Sequence, residues 1–198
     1  MSIIVLLKDH MIEQYFDSFG IFSKEEIESF TSLFQYRKLN KTDFFVKENQ
    51  KCTEIAFIQS GIIRSYYMTA DGQDMTYCFR FPNDLIAAYS SFLTGNLSIE
   101  SMQAITVVEL LVIKKSTVDQ LVSENPNWIK FLKIIAEHQY LELEKRVFQL
   151  QKESALQRYS SLLKNQPQYI QQISLQYIAS YLGITQRHLS RIRKEVMI

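Results

Sequence analysis

A chain of 198 residues has room for one large domain, or for one with a small companion. With 46% hydrophobic, 22% charged and 13% aromatic residues it has the composition of a folded protein, not a disordered one. Two cysteines (Cys52, Cys78), three scattered histidines (His10, His138, His188) and five glycines exclude a disulfide framework, a structural zinc or iron–sulfur site, a zincin motif, a nucleophile elbow and a glycine-rich phosphate loop.

The opening apolar run, residues 3–7, meets Lys8 and Asp9 at once. It is too short for a signal peptide or a membrane span, so a cytoplasmic protein is expected. Residues 10–19 have a helical period with Met11, Tyr15 and Phe19 on one face. Ser23 and Glu26 have capping-box spacing, and a helix over 24–34 should follow with Ile27, Phe30 and Phe34 inward. From 36 to 113 short apolar runs alternate with turn residues, the pattern of successive strands. The clearest pair is 61–68 and 73–81, joined through Asp71-Gly72, where glycine accepts the positive φ of a hairpin turn. In the second strand Met75, Tyr77, Phe79 and Phe81 alternate with Thr76, Cys78 and Arg80, which predicts one apolar face. Residues 105–113 read as one last, nearly continuous apolar strand. A short helix over 116–122 follows, and Asn125-Pro126 opens a long one over 127–154.

That long helix carries two apolar stripes. Ile129, Ala136, Leu143 and Leu150 recur every seven residues with Tyr140 and Val147 midway, while Trp128, Phe131, Leu132 and Ile135 lie beside them. Two stripes need two partners: one face goes to the strand domain, the other to the same helix of a second subunit, giving a homodimer with Ile129, Ala136, Tyr140, Leu143, Val147 and Leu150 in its seam. The boundaries are then 1–126 for the strand domain with its opening helices, 127–154 for the dimerisation helix and 155–198 for a C-terminal domain. Charge follows them. From residue 155 on, six basic residues stand against one acidic, a net +5, which leaves −4 on the first 154. A small basic end on an acidic body is the footprint of a DNA-binding domain.

Residues 175–194 have the pattern of a helix-turn-helix. Ser174 is placed to cap the first helix and Thr185 the second. Ala179 is small where the helices cross, and Gly183 sits where the turn asks for a left-handed backbone. Ile178, Leu182, Ile184, Leu189 and Ile192 close the core. Gln186, Arg187, Ser190 and Arg191 remain to face outward, with His188, Arg193 and Lys194 nearby. In the first turns of a helix entering a major groove, Gln186 suits adenine and Arg187 guanine. Arg191 can read a base or hold a phosphate, and Arg193 and Lys194 suit phosphate.

With these elements in this order, the chain resembles the Crp/Fnr family of bacterial regulators. The stretches that carry the likeness are Phe57-Ile-Gln-Ser-Gly61-Ile-Ile-Arg64 with Asp71-Gly72, Ala155-Leu-Gln-Arg-Tyr-Ser-Ser-Leu-Leu163 with Pro167, and Ile178-Ala-Ser-Tyr-Leu-Gly-Ile-Thr185 with Leu189-Ser-Arg-Ile192. The resemblance implies an α+β fold: an N-terminal antiparallel β-roll (double-stranded β-helix) with flanking helices, a long dimerisation helix and a C-terminal winged helix-turn-helix. It also implies binding to a palindromic promoter site in double-stranded DNA, with RNA polymerase as a further partner. The family's base-reading positions fall on Gln186, Arg187 and Arg191, with Ser190 between. Thr42 and Asn49 stand where relatives often have glycine, and the turns are expected to be retained.

Relatives that bind cyclic AMP use a Gly-Glu-Leu stretch and, after a short helix, an Arg-Ser pair. Here the matching stretch reads Asn83-Asp84-Leu85, Ser98-Ile99 lies nearest the expected pair, and residues 81–113 hold no Lys, Arg or His. A buried phosphate would lack its cation unless Arg64 or Arg80 reached in, so no response to cyclic AMP is expected, and the effector stays unnamed. No catalytic residue, metal or cofactor is expected. An enzyme of barrel-like β fold would need clustered His and carboxylate ligands, which the sequence lacks. A sensing or protein-interaction module whose helix-turn-helix does not bind DNA is the other alternative, and the cations at 187, 191, 193 and 194 speak against it.

Overall fold

The computed structural model describes residues 3–196, with side chains from residue 10, so the side chains of the opening run 3–7 lie outside the described residues. Helices α1 (Ile3–Asp17) and α2 (Lys24–Thr31) lead into strands β1 (Gln35–Leu39), β2 (Phe44–Val46), β3 (Glu54–Ser60), β4 (Ile63–Met68), β5 (Asp74–Arg80) and β6 (Leu85–Ile86). Helix α3 (Tyr89–Thr94) is followed by β7 (Ser101–Ala104) and β8 (Val108–Lys114). Six helices complete the chain: α4 (Lys115–Glu124), α5 (Pro126–Lys152), α6 (Ala155–Asn165), α7 (Pro167–Gln172), α8 (Leu175–Tyr181) and α9 (Gln186–Val196). The strands form two four-stranded sheets, ordered β1-β8-β3-β6 and β2-β7-β4-β5, which is the expected antiparallel roll.

Two compact units divide the chain: residues 1–65 with 79–135, and residues 66–78 with 136–198. The boundaries read at 126 and 154 do not coincide with them. The first ten residues of α5 belong to the first unit, and the tip of the β4–β5 hairpin belongs to the second.

Inside the first unit, period-two alternation builds two cores at once. Ala56 and Ile58 on β3 and Leu110 and Val112 on β8 point into the roll, where they meet Leu39, Val46, Ile63, Met102 and Ala104. Phe57 and Leu111, one position out of step, point the other way into an aromatic cluster with Ile12, Phe16, Phe22, Ile27, Phe30, Trp128 and Phe131. The register pairs Phe57 with Leu111 and Ala56 with Val112, so a slip of one residue would exchange the two cores. In α1 the buried positions are Ile12 and Phe16, with Met11, Tyr15 and Phe19 only half-buried against the same cluster. Burial pushes the Tyr15 phenol up to about 12, helped by the Asp84 carboxylate and opposed by Arg80.

The capping box at α2 forms as expected: Glu26 N donates to Ser23 Oγ at 3.2 Å and Ser23 N to Glu26 Oε2 at 2.6 Å. The second oxygen of Glu26 accepts from Asn125 Nδ2, and Asn125 Oδ1 in turn accepts from Asn127 N at 2.9 Å, so one carboxylate joins the starts of α2 and α5.

Three readings need correction. Residues 105–113 are not one strand: the chain turns at 105–107 between β7 and β8. There Ile105 N donates to Ile62 O at 3.0 Å and Ile62 N to Thr106 Oγ1 at 2.9 Å. The corner lies so close to Gly61 that a Cβ there would stand 2.2 Å from Val107 O, which no side chain tolerates. Strand β5 does not show one apolar face either, because Thr76, 3% exposed, is buried along with Phe79. Finally, no strand follows Lys114 among the described residues, so the wing implied by the resemblance is not formed within them. Between α6 and α8 the chain makes the short helix α7, whose first turn Pro167 suits by its fixed φ.

The turns that lack glycine keep a left-handed backbone, with φ of 79° at Thr42, 65° at Asn49 and 74° at Asn83. Thr42 is the costly one, since its branched Cβ crowds the backbone at positive φ. The turn is held by backbone instead: Thr42 N donates to Ala104 O at 2.8 Å, and Thr42 O accepts from Gln103 Nε2. Thr42→Gly keeps both bonds and removes the clash, so it should stabilise the protein by about 0.5–1 kcal/mol after glycine's own entropy cost. A thermal melt checks it: a higher Tm is expected, and an unchanged or lower one would show that the threonine is unstrained.

Candidate nucleic acid interface

The second unit is built on buried apolar side chains from four short helices: Tyr159 and Leu162 of α6, Tyr169 of α7, Ile178 and Ala179 of α8, and Leu189 and Ile192 of α9, with Ile173 and Leu182 between them. Ile184, expected in this core, is half-buried. Helices α8 and α9 are joined by a three-amide turn. Leu182 N donates to Ile178 O, Gly183 N to Ser180 O and Ile184 N to Ala179 O, all at 2.9–3.0 Å. Gly183 has φ 69°, the left-handed conformation the turn requires. Thr185 caps α9 as expected, its Oγ1 accepting from His188 N at 3.2 Å. Ser174 occupies the cap position of α8, but its hydroxyl makes no capping bond.

With Leu189 and Ile192 committed inward, α9 turns Gln186, Arg187, His188, Ser190, Arg191 and Lys194 to the surface. Arg193 differs: it is half-buried, which suits it less to a phosphate than Lys194. The Ser190 hydroxyl donates to Gln186 O at 3.0 Å, back along its own helix. The surface therefore presents an amide and two guanidiniums over the first two turns, followed by an ammonium.

Two arginines that the sequence does not mark out hold α8 from behind. Arg158 was counted with the basic end, yet it points inward: Nε and Nη2 donate to Leu182 O at 3.1 and 3.0 Å, and Nη1 donates to Glu153 O. Arg146 of α5 donates to Tyr181 O and lies over the Tyr181 ring at 4.0 Å from its centroid. Burial holds the Arg146 pKa below its usual value. Backbone carbonyls are the acceptors, and a sequence carries no sign of which carbonyls a fold leaves open. Ser180 makes a third link: its hydroxyl accepts from Thr76 N at 2.8 Å and donates to Asp74 O at 3.0 Å.

On α5, Tyr140, Leu143, Val147 and Leu150 stand 41–63% exposed, and Ile129 58%, while Ala136 is half-buried. Leu141 and Phe148, also exposed, widen the stripe beyond the residues that the heptad picks out. A shallow hollow of about 440 Å³ lies among Ala136, Glu137, Tyr140 and Leu141.

In the roll, Arg64 is 2% exposed and one of its Nη atoms donates to Gln103. Asp84 accepts from Phe81 N at 2.8 Å, and Glu100 is buried beside Ser98. Among the described residues no group of three His, Cys, Asp or Glu side chains is placed to hold a metal ion, and no helix is long and apolar enough to cross a membrane.

Residues 36–125 match the cyclic nucleotide-binding domain family. The chain is 25% identical over 119 residues to the anaerobic regulatory protein of Bacillus subtilis, an alignment covering 60% of this chain and half the length of that relative. Among solved structures it superimposes on FixK2 from Bradyrhizobium japonicum with a TM-score of 0.73 at 18% identity, covering 83% of this chain and 84% of the other. For a Crp/Fnr family regulator from Eubacterium rectale the TM-score is 0.74 at 16% identity, over 93% and 88% of the two chains. For the c-di-GMP-responsive regulator CLP of Xanthomonas campestris it is 0.70 at 16%, over 86% and 90%. A roll that matches the cyclic nucleotide-binding domain, followed by a long helix and a helix-turn-helix, gives the chain the fold that these solved structures share.

Proposed function

We propose that the protein is a homodimeric, sequence-specific DNA-binding regulator of transcription, acting in the cytoplasm on a palindromic promoter site, and not an enzyme. The observation that carries this reading is the outer face of α9, where Gln186, Arg187 and Arg191 are exposed over successive turns while the opposite face is fixed in the core. Gln186 and Arg187 read base edges by bidentate hydrogen bonds, Arg191 reads a base or holds a phosphate, and Lys194, with a smaller part for Arg193, holds phosphate. Ser190 keeps the face between them narrow. RNA polymerase is the further partner of such a regulator, and an anaerobic regulatory protein is among its relatives.

The two kinds of contact separate in a binding assay. Arg187→Ala should cost about 1–3 kcal/mol on the selected site and relax the preference there, whereas Lys194→Ala should weaken all sequences alike and flatten the salt dependence. Fluorescence anisotropy with a duplex selected from the genome and a random one distinguishes them. Native affinity in Arg187→Ala would reverse the orientation of α9.

The exposed stripe on α5 supplies the dimer. Paired with a second copy, Tyr140, Leu143, Val147 and Leu150 lose their contact with water, with Ile129 and Ala136 toward the start of the helix. Leu143→Lys places a charge in that seam without a partner, so the dimer should dissociate and operator binding fall with it, since two half-sites about 34 Å apart need two linked reading heads. Sedimentation measures the first effect and a gel shift the second; a variant still dimeric moves the seam elsewhere.

Cyclic AMP is not the effector. Residues 81–113 bring buried Glu100 and half-buried Asp84 but no cation, and Arg64 is already engaged with Gln103. A phosphate entering there would be desolvated beside carboxylates. Titration calorimetry with cyclic AMP and cyclic GMP should show no binding, and a micromolar dissociation constant accompanied by tighter DNA binding overturns this reading.

A further inference from the structure

Helix α8 ends in carbonyls that its own hydrogen bonds leave open, and two of them, on Tyr181 and Leu182, immediately precede the left-handed turn at Gly183. Both are taken by guanidiniums from outside the helix-turn-helix, Tyr181 O by Arg146 and Leu182 O by Arg158. Cations at a helix C-terminus also offset the negative end of its dipole. The two arginines are not equivalent. Arg158 sits on α6, which belongs to the core of the helix-turn-helix itself, so its bond is internal to that domain. Arg146 sits on α5, the helix that carries the exposed apolar stripe, and it grips α8 twice: one N–H donates to the carbonyl while the flat guanidinium lies 4.0 Å over the Tyr181 ring. Four residues further along α5, Leu150 approaches Gly183, its Cδ2 lying 3.6 Å from where a Cβ would stand. The turn that sets the direction of α9 is thus held from α5 by one polar and one apolar contact.

We infer that Arg146 is a positioning residue for DNA recognition, locking the angle of the reading helix to the long helix through the Tyr181 carbonyl and ring. This rests on the reading of α9 as the DNA-reading helix. Its consequence is a split between two kinds of binding. Base reading needs α9 in one orientation relative to the helix that joins it to the partner's reading head. Attraction to phosphate needs only the charges, none of which Arg146 supplies. A guanidinium is the side chain suited to the place, because it donates in its plane while its face stacks, which an ammonium cannot do together.

The test compares wild type, Arg146→Met, Arg146→Lys and Tyr181→Leu on a selected duplex and a random duplex by anisotropy, across a salt series, with thermal melts alongside. Arg146→Met should lose on the order of tenfold on the selected duplex, as expected for loss of a charge-assisted hydrogen bond, and keep wild-type affinity and salt slope on the random one. Arg146→Lys should recover part of the loss, since it keeps the donor without the stack. Tyr181→Leu, which keeps the carbonyl and removes the ring, should lose less than Arg146→Met. If Arg146→Met melts below the assay temperature, the other two variants carry the same comparison. Unchanged discrimination in the variants, with wild type preferring its site, overturns this inference alone, as does an equal loss on both duplexes. A wild-type protein without any sequence preference overturns the DNA reading and this inference with it.

Discussion

Trp128 and Phe131, one helical turn apart at the start of α5, are the anchor on which the rest of the long helix depends. Their rings meet Phe16, Phe22 and Phe30 at centroid separations of 4.9–5.9 Å in tilted and edge-to-face geometry, and both are fully buried. Burying a large apolar side chain contributes about 1.5–3 kcal/mol, and favourable ring geometry adds roughly 0.5–1.5 kcal/mol per pair. A 27-residue helix with mixed polarity would be marginal alone; held at one end, it carries a stripe that is largely exposed among the described residues.

The same helix carries Arg146 and Leu150, so its exposed residues from Tyr140 to Leu150 and the grip on α8 lie on one element. Under the proposed function, pairing through the stripe and orienting α9 through the Tyr181 carbonyl would both be properties of α5. The Ser180 bridge to Asp74 and Thr76 adds the tip of the β4–β5 hairpin to the elements that hold α8. Charge is distributed in the same spirit: Arg187, Arg191 and Lys194 on α9 face outward, while Arg146 and Arg158 turn to carbonyls.

The roll carries the fold of a cyclic nucleotide-binding domain. Its corners are intact, down to left-handed Thr42 and Asn49 and a Gly61 that backbone contact makes obligatory. In the segment 81–113, which holds no Lys, Arg or His, Asp84 caps its own turn at Phe81 and Glu100 is buried with Ser98. A fold is kept by its apolar alternation and its turns, whereas an anion site is a matter of a few cations, and the two vary separately.

Much of this was legible in the residues. Capping at Ser23 and Thr185, the Asp71-Gly72 hairpin, the start of α5 at Asn125-Pro126 and the outward residues of α9 follow from local chemistry: caps, turns and periodicity act within a few positions and leave their mark there. The apolar stripe on α5 was equally visible, as a heptad. The sequence by itself also determined that segment 81–113 lacks cations. Tertiary structure decided the rest, for one physical reason: backbone groups have no side-chain identity. That Arg146 and Arg158 turn inward to carbonyls, that the Thr76 amide bonds Ser180, that the turn at 105–107 exchanges hydrogen bonds with Ile62, and that Ser174 makes no capping bond all depend on which N–H and C=O groups the folded chain leaves open, and those are set only once distant segments meet.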